Sequence, residues 1–71
     1  MRTQAEIGYY LYLRRFAAKM TQYQLGLALG YTGTVAKQMV YQWETGRRRI
    51  PPNKVKSLAK ILSADPVMLL P

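Results

Sequence analysis

The sequence predicts an all-α fold, a compact bundle of four helices followed by a short C-terminal fifth. Apolar residues recur at helical spacing in four segments, and no segment shows the sustained apolar/polar alternation of a half-buried strand. These segments are separated by residues that typically cap or end helices, such as Thr21, Gly30 and Pro51. Because the chain has 71 residues, we expect one small domain spanning residues 1–71.

The first helix is predicted over residues 4–19, with two apolar stripes. The broader stripe is expected to face the core and consists of Tyr9, Tyr10, Leu13, Phe16, Ala17 and Met20. The narrower stripe contains Ile7, Leu11 and Ala18, and it could meet a C-terminal helix or another subunit.

The second helix is predicted over residues 22–29, and its start has a strong signal. Thr21 and Gln24 have the spacing of a capping box, in which each side chain bonds the other residue's amide. Met20 and Leu25 have the spacing of a hydrophobic staple. Gly30 supplies a residue that adopts the left-handed conformation at a helix end.

The third helix is predicted over residues 35–45, after a turn at 31–34 in which Thr32 or Thr34 is the cap. Gly46 ends it. Its inner stripe is expected to contain Val35, Ala36, Met39, Val40 and Trp43. Its outer face carries hydrogen-bonding side chains with no acid at the centre: Lys37, Gln38, Tyr41, Gln42 and Thr45.

The fourth helix is predicted over residues 53–62, after two prolines that suit a helix start. Its buried side should hold Val55, Leu58, Ala59 and Leu62. Asp65 and Pro66 then begin a last short turn through residues 67–70.

The charge balance favours a polyanionic partner. Eleven Lys and Arg residues face three acids, for a formal charge of +8. Such a field attracts nucleic acid first and anionic membranes second, whereas the alternative is a merely solvated cationic face. No apolar run approaches the ~20 residues that span a bilayer, and no signal peptide is evident, so we expect a cytoplasmic protein without membrane association.

Catalysis and metal binding are not predicted. The chain has no Cys and no His, which removes the disulfides and the usual ligands of structural zinc. Its three acids are scattered, so no general acid–base pair or activated nucleophile is evident. We therefore expect a non-enzyme with no cofactor.

The segment 21–46 reads as two short helices joined by a tight turn, the second with a polar outer face. The DNA major groove, about 12 Å wide, admits one such helix. The preceding helix braces it and offers the amides of its N-terminus to phosphate. The pattern therefore favours binding to duplex DNA.

The order and spacing of several motifs resemble those of the lambda-repressor-like (Cro/C1-type) helix-turn-helix DNA-binding family. The resemblance covers residues 4–70 and rests on Thr21-Gln22, Leu25, Leu29-Gly30, Val40, Trp43-Glu44, Gly46, Ile50-Pro51-Pro52 and Ser63-Ala64-Asp65-Pro66. Two departures stand out. The stretch from Gly30 to Glu44 is about four residues longer than the common pattern, which we place in the 31–34 turn. The first helix is one residue longer before Thr21, judged from the match of Leu13-Arg14 to a Leu-Arg pair in the family.

The resemblance implies which residues contact DNA. Base edges would be contacted by Lys37, Gln38, Tyr41 and Gln42, and phosphates by Gln22, Thr45, Arg47, Arg48 and Arg49. The residue types agree with these roles, because glutamine pairs with adenine, lysine donates to guanine and a tyrosine ring packs on a thymine methyl. It also implies that Glu44 forms an ion pair with Arg14, although the extra residue in the first helix makes Arg15 an alternative.

Three features have a second interpretation. The arginine run 47–49 could be only a solvated charge cluster. Trp43 could stack on a base, but its place on the inner stripe favours the core. Tyr9, Tyr10 and Tyr12 could form a platform for single-stranded nucleic acid, but we expect Tyr9 and Tyr10 to be buried.

As a function, the resemblance implies sequence-specific binding of double-stranded DNA, in the manner of a small Cro-like repressor of a phage or plasmid. A homodimer would read a palindromic operator with half-sites about 34 Å apart. Residues 67–70 could be the end of the core, and they are also a candidate dimer surface, together with Ile7 and Leu11. The alternatives are an antitoxin that binds a toxin, another partner such as the transcription machinery, and a cationic membrane-active peptide.

Overall fold

The computed structural model describes all 71 residues and consists of helices without strands. The elements are α1 (Gln4–Ala17), α2 (Gln22–Ala28), α3 (Gly33–Glu44), α4 (Pro52–Leu62) and a 3-10 helix (Pro66–Leu69). The predicted bundle of four helices with a short fifth is confirmed. None of the helices has the length and hydropathy that a membrane crossing requires.

One core joins all five elements, and it contains no buried polar or charged residue. Its members are Ile7, Leu11, Leu25, Leu29, Val40, Trp43, Ile50, Val55, Leu58, Leu62 and Leu69. Trp43 is its largest fully buried side chain, and the ring of Tyr31 meets the Trp43 ring edge-on at 5.9 Å between centroids. The prediction that Trp43 belongs to the core is therefore confirmed.

The orientation of α1 is opposite to the predicted one. Ile7, Gly8 and Leu11 are the buried residues of α1, whereas most residues of the broader stripe, which was predicted to face the core, are exposed. Gly8 explains the difference, because a Cβ there would overlap with the carbonyl oxygens of Trp43 and Glu44 at the end of α3. Since α1 lies so close to α3 at Gly8, its larger side chains point away. The prediction that Ile7 and Leu11 contribute to a dimer surface is wrong for the same reason.

A second close contact joins α2 to α3. A Cβ at Gly26 would overlap with the backbone of Ala36, so the two helices touch at these small residues. With Ala36 fully buried against α2, the neighbouring Val35 is rotated outward and is 46% exposed. The prediction that Val35 belongs to the inner stripe is therefore wrong, whereas Val40 is buried as predicted.

The turn between α2 and α3 is shorter than predicted. Because α2 ends at Ala28 and α3 begins at Gly33, only residues 29–32 connect them. Thr32 occupies the N-cap position with extended backbone, and Thr34 lies inside the helix. Residues 33 and 34, which were predicted to belong to the turn, are therefore the first residues of α3.

The predicted capping signals are present at both ends of α2. Thr21 Oγ1 accepts from the Gln24 amide at 3.0 Å, and Gln24 Oε1 accepts from the Thr21 amide at 2.9 Å. Gly30 has a φ of 96°, the left-handed conformation predicted for it. Lys54 adds a cap that the sequence did not reveal, since its Nζ donates to the Leu29 carbonyl at 2.9 Å.

Candidate nucleic-acid interface

The outer face of α3 presents polar side chains to solvent. Lys37, Gln38 and Tyr41 are exposed on it, and Gln42 is half-buried at its edge. The pairs 37/41 and 38/42 are four residues apart, which places each pair on adjacent turns of the same helix face. The residues predicted to contact bases therefore lie on one continuous surface.

An open groove lies between the starts of α2 and α3. It has a volume of about 400 Å³ and is lined by Tyr23, Gly33, Thr34, Lys37 and Gln38. Tyr23 is exposed and was not among the predicted site residues. Its position in the first turn of α2, next to Gln22, is the sequence signal that could have identified it, because that turn faces the same groove.

Gln42 is held by the segment that follows α3. Its Oε1 accepts from Arg48 Nε at 2.9 Å, and its backbone carbonyl accepts from the amides of Arg47 and Arg48 at 2.9 and 3.2 Å. A bidentate bond from Gln42 to adenine uses both the amide oxygen and the amide nitrogen. Here the oxygen already accepts one hydrogen bond, so Gln42 presents its NH₂ group and the second lone pair of that oxygen while Arg48 stays in place.

The arginine run is exposed and lies beside the outer face of α3. Below, this face, with Lys37, Gln38, Tyr41 and Gln42, is called the reading face. The Arg47 guanidinium carbon is 5.8 Å from the centroid of the Tyr41 ring, within the range of a cation–π contact. Arg49 is also exposed. Thr45 is exposed as well, but its hydroxyl donates to the Tyr41 carbonyl at 2.9 Å inside the helix.

Glu44 connects three elements through its carboxylate. Arg15 donates to it from Nε at 2.6 Å and from Nη2 at 3.0 Å, and Gln22 Nε2 donates to it at 3.1 Å. The side chains of Arg15 and Glu44 are only 12% and 5% exposed. The hydrogen bond that Arg15 donates to Glu44 raises the pKa of Arg15 above its ordinary value. Gln22, predicted to contact phosphate, donates one of its two side-chain N–H groups to this cluster.

Arg14, which the family pattern favoured as the partner of Glu44, has a different role. Its Nη2 donates to the carbonyls of Leu62 and Ser63 at 3.1 Å each, at the C-terminal end of α4. A cation there satisfies carbonyls that lack partners within the helix. Arg14 and Arg15 therefore tie α1 to two different helices.

All three acids lie away from the outer face of α3. Glu44 is paired with Arg15, Glu6 caps the amide of Thr3 at 2.8 Å, and Asp65 caps that of Val67 at 3.0 Å. The cations of α3 and of the arginine run therefore face solvent without a competing carboxylate. Such a surface favours a negatively charged partner.

The comparisons with known proteins agree with this geometry. A family model described as Helix-turn-helix, of the Cro/C1 type, matches residues 11–69, which include every helix but the first turns of α1. Neither a curated protein nor a solved structure matches the chain. With most of the chain matched, and with α2 and α3 packed as a helix-turn-helix, this protein belongs to the lambda-repressor-like (Cro/C1-type) family of DNA-binding domains.

Proposed function

We propose that this protein is a sequence-specific regulator of transcription, a Cro-like repressor that binds a palindromic operator as a homodimer. The observation that carries the proposal is the outer face of α3, where Lys37, Gln38 and Tyr41 are exposed without an acid among them. Occupying an operator blocks transcription when the site overlaps a promoter. Such a regulator of phage or plasmid type acts in the bacterial cytoplasm, where its DNA lies.

In this proposal the side chains of α3 divide the reading of the half-site. Lys37 donates to guanine, Gln38 pairs with adenine, and the Tyr41 ring packs on a thymine methyl. Gln42 reads a base through its NH₂ group together with Arg48, which already bonds its oxygen. A bidentate contact such as that of Gln38 with adenine discriminates against a wrong base by about 1–3 kcal/mol.

Phosphates are bound on both sides of the reading face. Arg47 and Arg49 extend from the segment after α3, and each phosphate neutralised adds about 0.9 to the slope of log K against log salt. Gln22 contributes through its backbone amide at the start of α2 and through the second N–H of its side chain, since the first is bonded to Glu44. Thr45 joins this set only by rotating its hydroxyl away from the Tyr41 carbonyl.

Selection of binding sites from a random duplex library, at about 150 mM salt, tests the proposal. We expect a palindrome with half-sites one helical turn apart, about 34 Å. Gln38→Ala should relax the base preference at one position of each half-site. Lys56→Ala, on the exposed side of α4, is the matched control and should leave the motif unchanged. Binding without any motif, with steep loss in salt, would refute the proposal.

A second candidate function, an antitoxin that also represses its own gene, is favoured by the C-terminus. Val67 and Leu70 are exposed apolar residues there, whereas Leu69 is buried in the core. Truncation would remove Leu69 and unfold the domain, so Val67→Asp with Leu70→Asp is the cleaner test. This variant should lose binding to a toxin encoded beside it and keep binding to DNA. A genomic neighbourhood without any toxin would exclude this function.

A further inference from the structure

The outer face of α1 carries an exposed aromatic stripe that neither the core nor the reading face uses. Tyr9, Tyr12, Leu13 and Phe16 are 62%, 40%, 43% and 68% exposed. Their rings follow one another along the helix, with centroids 6.3 Å apart between Tyr9 and Tyr12 and 6.1 Å apart between Tyr12 and Phe16. Below, these four residues are called the aromatic stripe.

The aromatic stripe points away from the rest of the domain. Ile7, Gly8 and Leu11 are the buried residues of this helix, and Tyr9 and Phe16 lie about 150° and 130° around the helix from the middle of that buried side. Taking roughly 200 Å² for each fully exposed side chain, the stripe exposes roughly 400 Å². Apolar patches of this size on small soluble proteins are often functional.

We propose that the aromatic stripe is the surface on which two copies of this chain pair, with their α1 helices antiparallel. This inference rests on the proposed function, which needs the α3 helices of two copies on one operator. The midpoint of the stripe falls between Tyr12 and Leu13, and Tyr9 and Phe16 lie on either side of it at equal distances, about 5 Å along the axis. A twofold axis at this midpoint brings Tyr9 of each copy to the level of Phe16 of the other.

Charge supports the antiparallel direction. Glu6, in the first turn of α1, and Lys19, just past its end, are both exposed and lie at equal sequence distances from the same midpoint. Antiparallel helices bring the acidic end of each copy towards the basic end of the other, and they also align the helix dipoles favourably. Parallel helices would bring Lys19 towards Lys19, in a protein that already carries a charge of +8.

The stripe itself does not favour nucleic acid. None of its four residues is charged, and the one cation over it, the Arg15 guanidinium at 5.5 Å from the centroid of the Tyr12 ring, is paired with Glu44. Two stripes would bury roughly 800 Å² of apolar surface, which is below the ~1,200 Å² of stable interfaces and in the range of weak, transient ones. The two copies should therefore associate weakly in free solution. They should associate more tightly on an operator, where the α3 helices of both copies bind DNA.

Cysteine cross-linking tests the arrangement, because the natural chain has no cysteine. Under mild oxidation on the selected operator duplex, Tyr12→Cys and Leu13→Cys should each form disulfide dimers. Tyr9→Cys should cross-link efficiently only when it is mixed with Phe16→Cys. Lys56→Cys is the exposed control and should stay monomeric. Cross-linking of Tyr9→Cys with itself would overturn the antiparallel direction.

A charged substitution separates this inference from the proposed function. Phe16→Glu removes apolar area and places a charge in the pair, so affinity for the full palindrome should fall by about tenfold or more. Affinity for a single half-site should not change, because Phe16 lies outside the DNA-binding surface. Equal affinity of wild type and variant for the palindrome would overturn the pairing and leave sequence-specific binding intact. Loss of binding to single-stranded oligonucleotides in the variant, without disulfide dimers in the cysteine series, would assign the stripe to base stacking instead.

Discussion

The outer faces of α1 and α3 are both exposed helix surfaces, but their side chains have opposite chemistry. The face of α3 carries Lys37 and Gln38, which hydrogen-bond, whereas the face of α1 carries Tyr9 and Phe16 without a charge between them. The first surface attracts a polyanion, whereas at the second surface the removal of apolar area from water is favourable. The difference places the surface suited to a polyanion and the surface suited to an apolar partner on separate helices.

The inner faces of the same helices explain how these outer faces are selected. At Gly8 and at Ala36 the side chain is absent or small, and a neighbouring backbone lies against it. Each close approach fixes the rotation of its helix, and the opposite side of the helix is then exposed. Changes on the inner faces should therefore disturb the whole domain, whereas changes on the outer faces should disturb one partner at a time.

The largest expected effect is at Glu44, which ties the inner side of α1 to the end of α3. Glu44→Ala leaves Arg15 nearly buried without its partner, and we expect the free energy of unfolding to fall by about 3 kcal/mol or more. Urea denaturation measures this, and DNA affinity should fall only as a consequence. Glu6→Ala, at an exposed acid, is the control and should cost far less. Wild-type stability of Glu44→Ala would mean that the ion pair does not hold the two helices together.

The next effect tests which side of α1 is packed. Gly8→Ala adds a methyl group where the carbonyls of Trp43 and Glu44 already lie, and we expect a loss of about 2–3 kcal/mol. Tyr9→Ala, one position along, removes a much larger side chain from an exposed site and should change the stability by only about 0.5 kcal/mol. Thermal unfolding of the two variants gives the comparison directly. A larger loss of stability in Tyr9→Ala than in Gly8→Ala would mean that the broader stripe of α1 is packed in the core.

The local signals of the sequence were sufficient to predict most helix boundaries. The box at Thr21 and Gln24 and the left-handed Gly30 depend on residues a few positions apart, and both are present in the structure. The start of α3 was harder to predict, because Thr32 and Thr34 are equally suitable caps by composition. In the structure Thr32 is the N-cap residue by position, its side chain makes no cap hydrogen bond, and residues 33 and 34 belong to the helix.

The rotation of α1 could not be predicted from periodicity. This helix has apolar residues on two sides, and counting them favoured the side with more aromatic area. The decisive residue is Gly8, whose lack of a side chain matters only once α3 is known to lie against it. The choice between Arg14 and Arg15 has the same origin, since neighbouring residues differ by 100° around the helix and only the packing decides which one meets Glu44.

A smaller effect sharpens the description of the reading face. Arg48→Ala and Arg49→Ala each remove one cation, and each should lower the salt slope by about 0.9 if that cation neutralises a phosphate. Only Arg48 bonds Gln42, so only Arg48→Ala should also change the base preference at the position that Gln42 reads. Titrations at several salt concentrations, followed by site selection with both variants, separate the two effects. Identical base preferences would remove Arg48 from the reading face and leave it a phosphate contact.

The smallest effect concerns Glu6, at the acidic end of the aromatic stripe. Hydrogen bonds with the backbone and side chain of Thr3 lower the pKa of Glu6 below its ordinary value of 4.5. A carboxyl whose pKa is lowered by folding stabilises the protein above its unfolded pKa, and this contribution is lost as the pH falls through the folded pKa. Thermal unfolding between about pH 6 and pH 2 should therefore show a slightly smaller decline for Glu6→Gln than for the wild type. Because both proteins keep Glu44 and Asp65, the difference between their curves isolates Glu6. Superimposable curves would show that the charge of Glu6 adds no stability to its hydrogen bonds with Thr3.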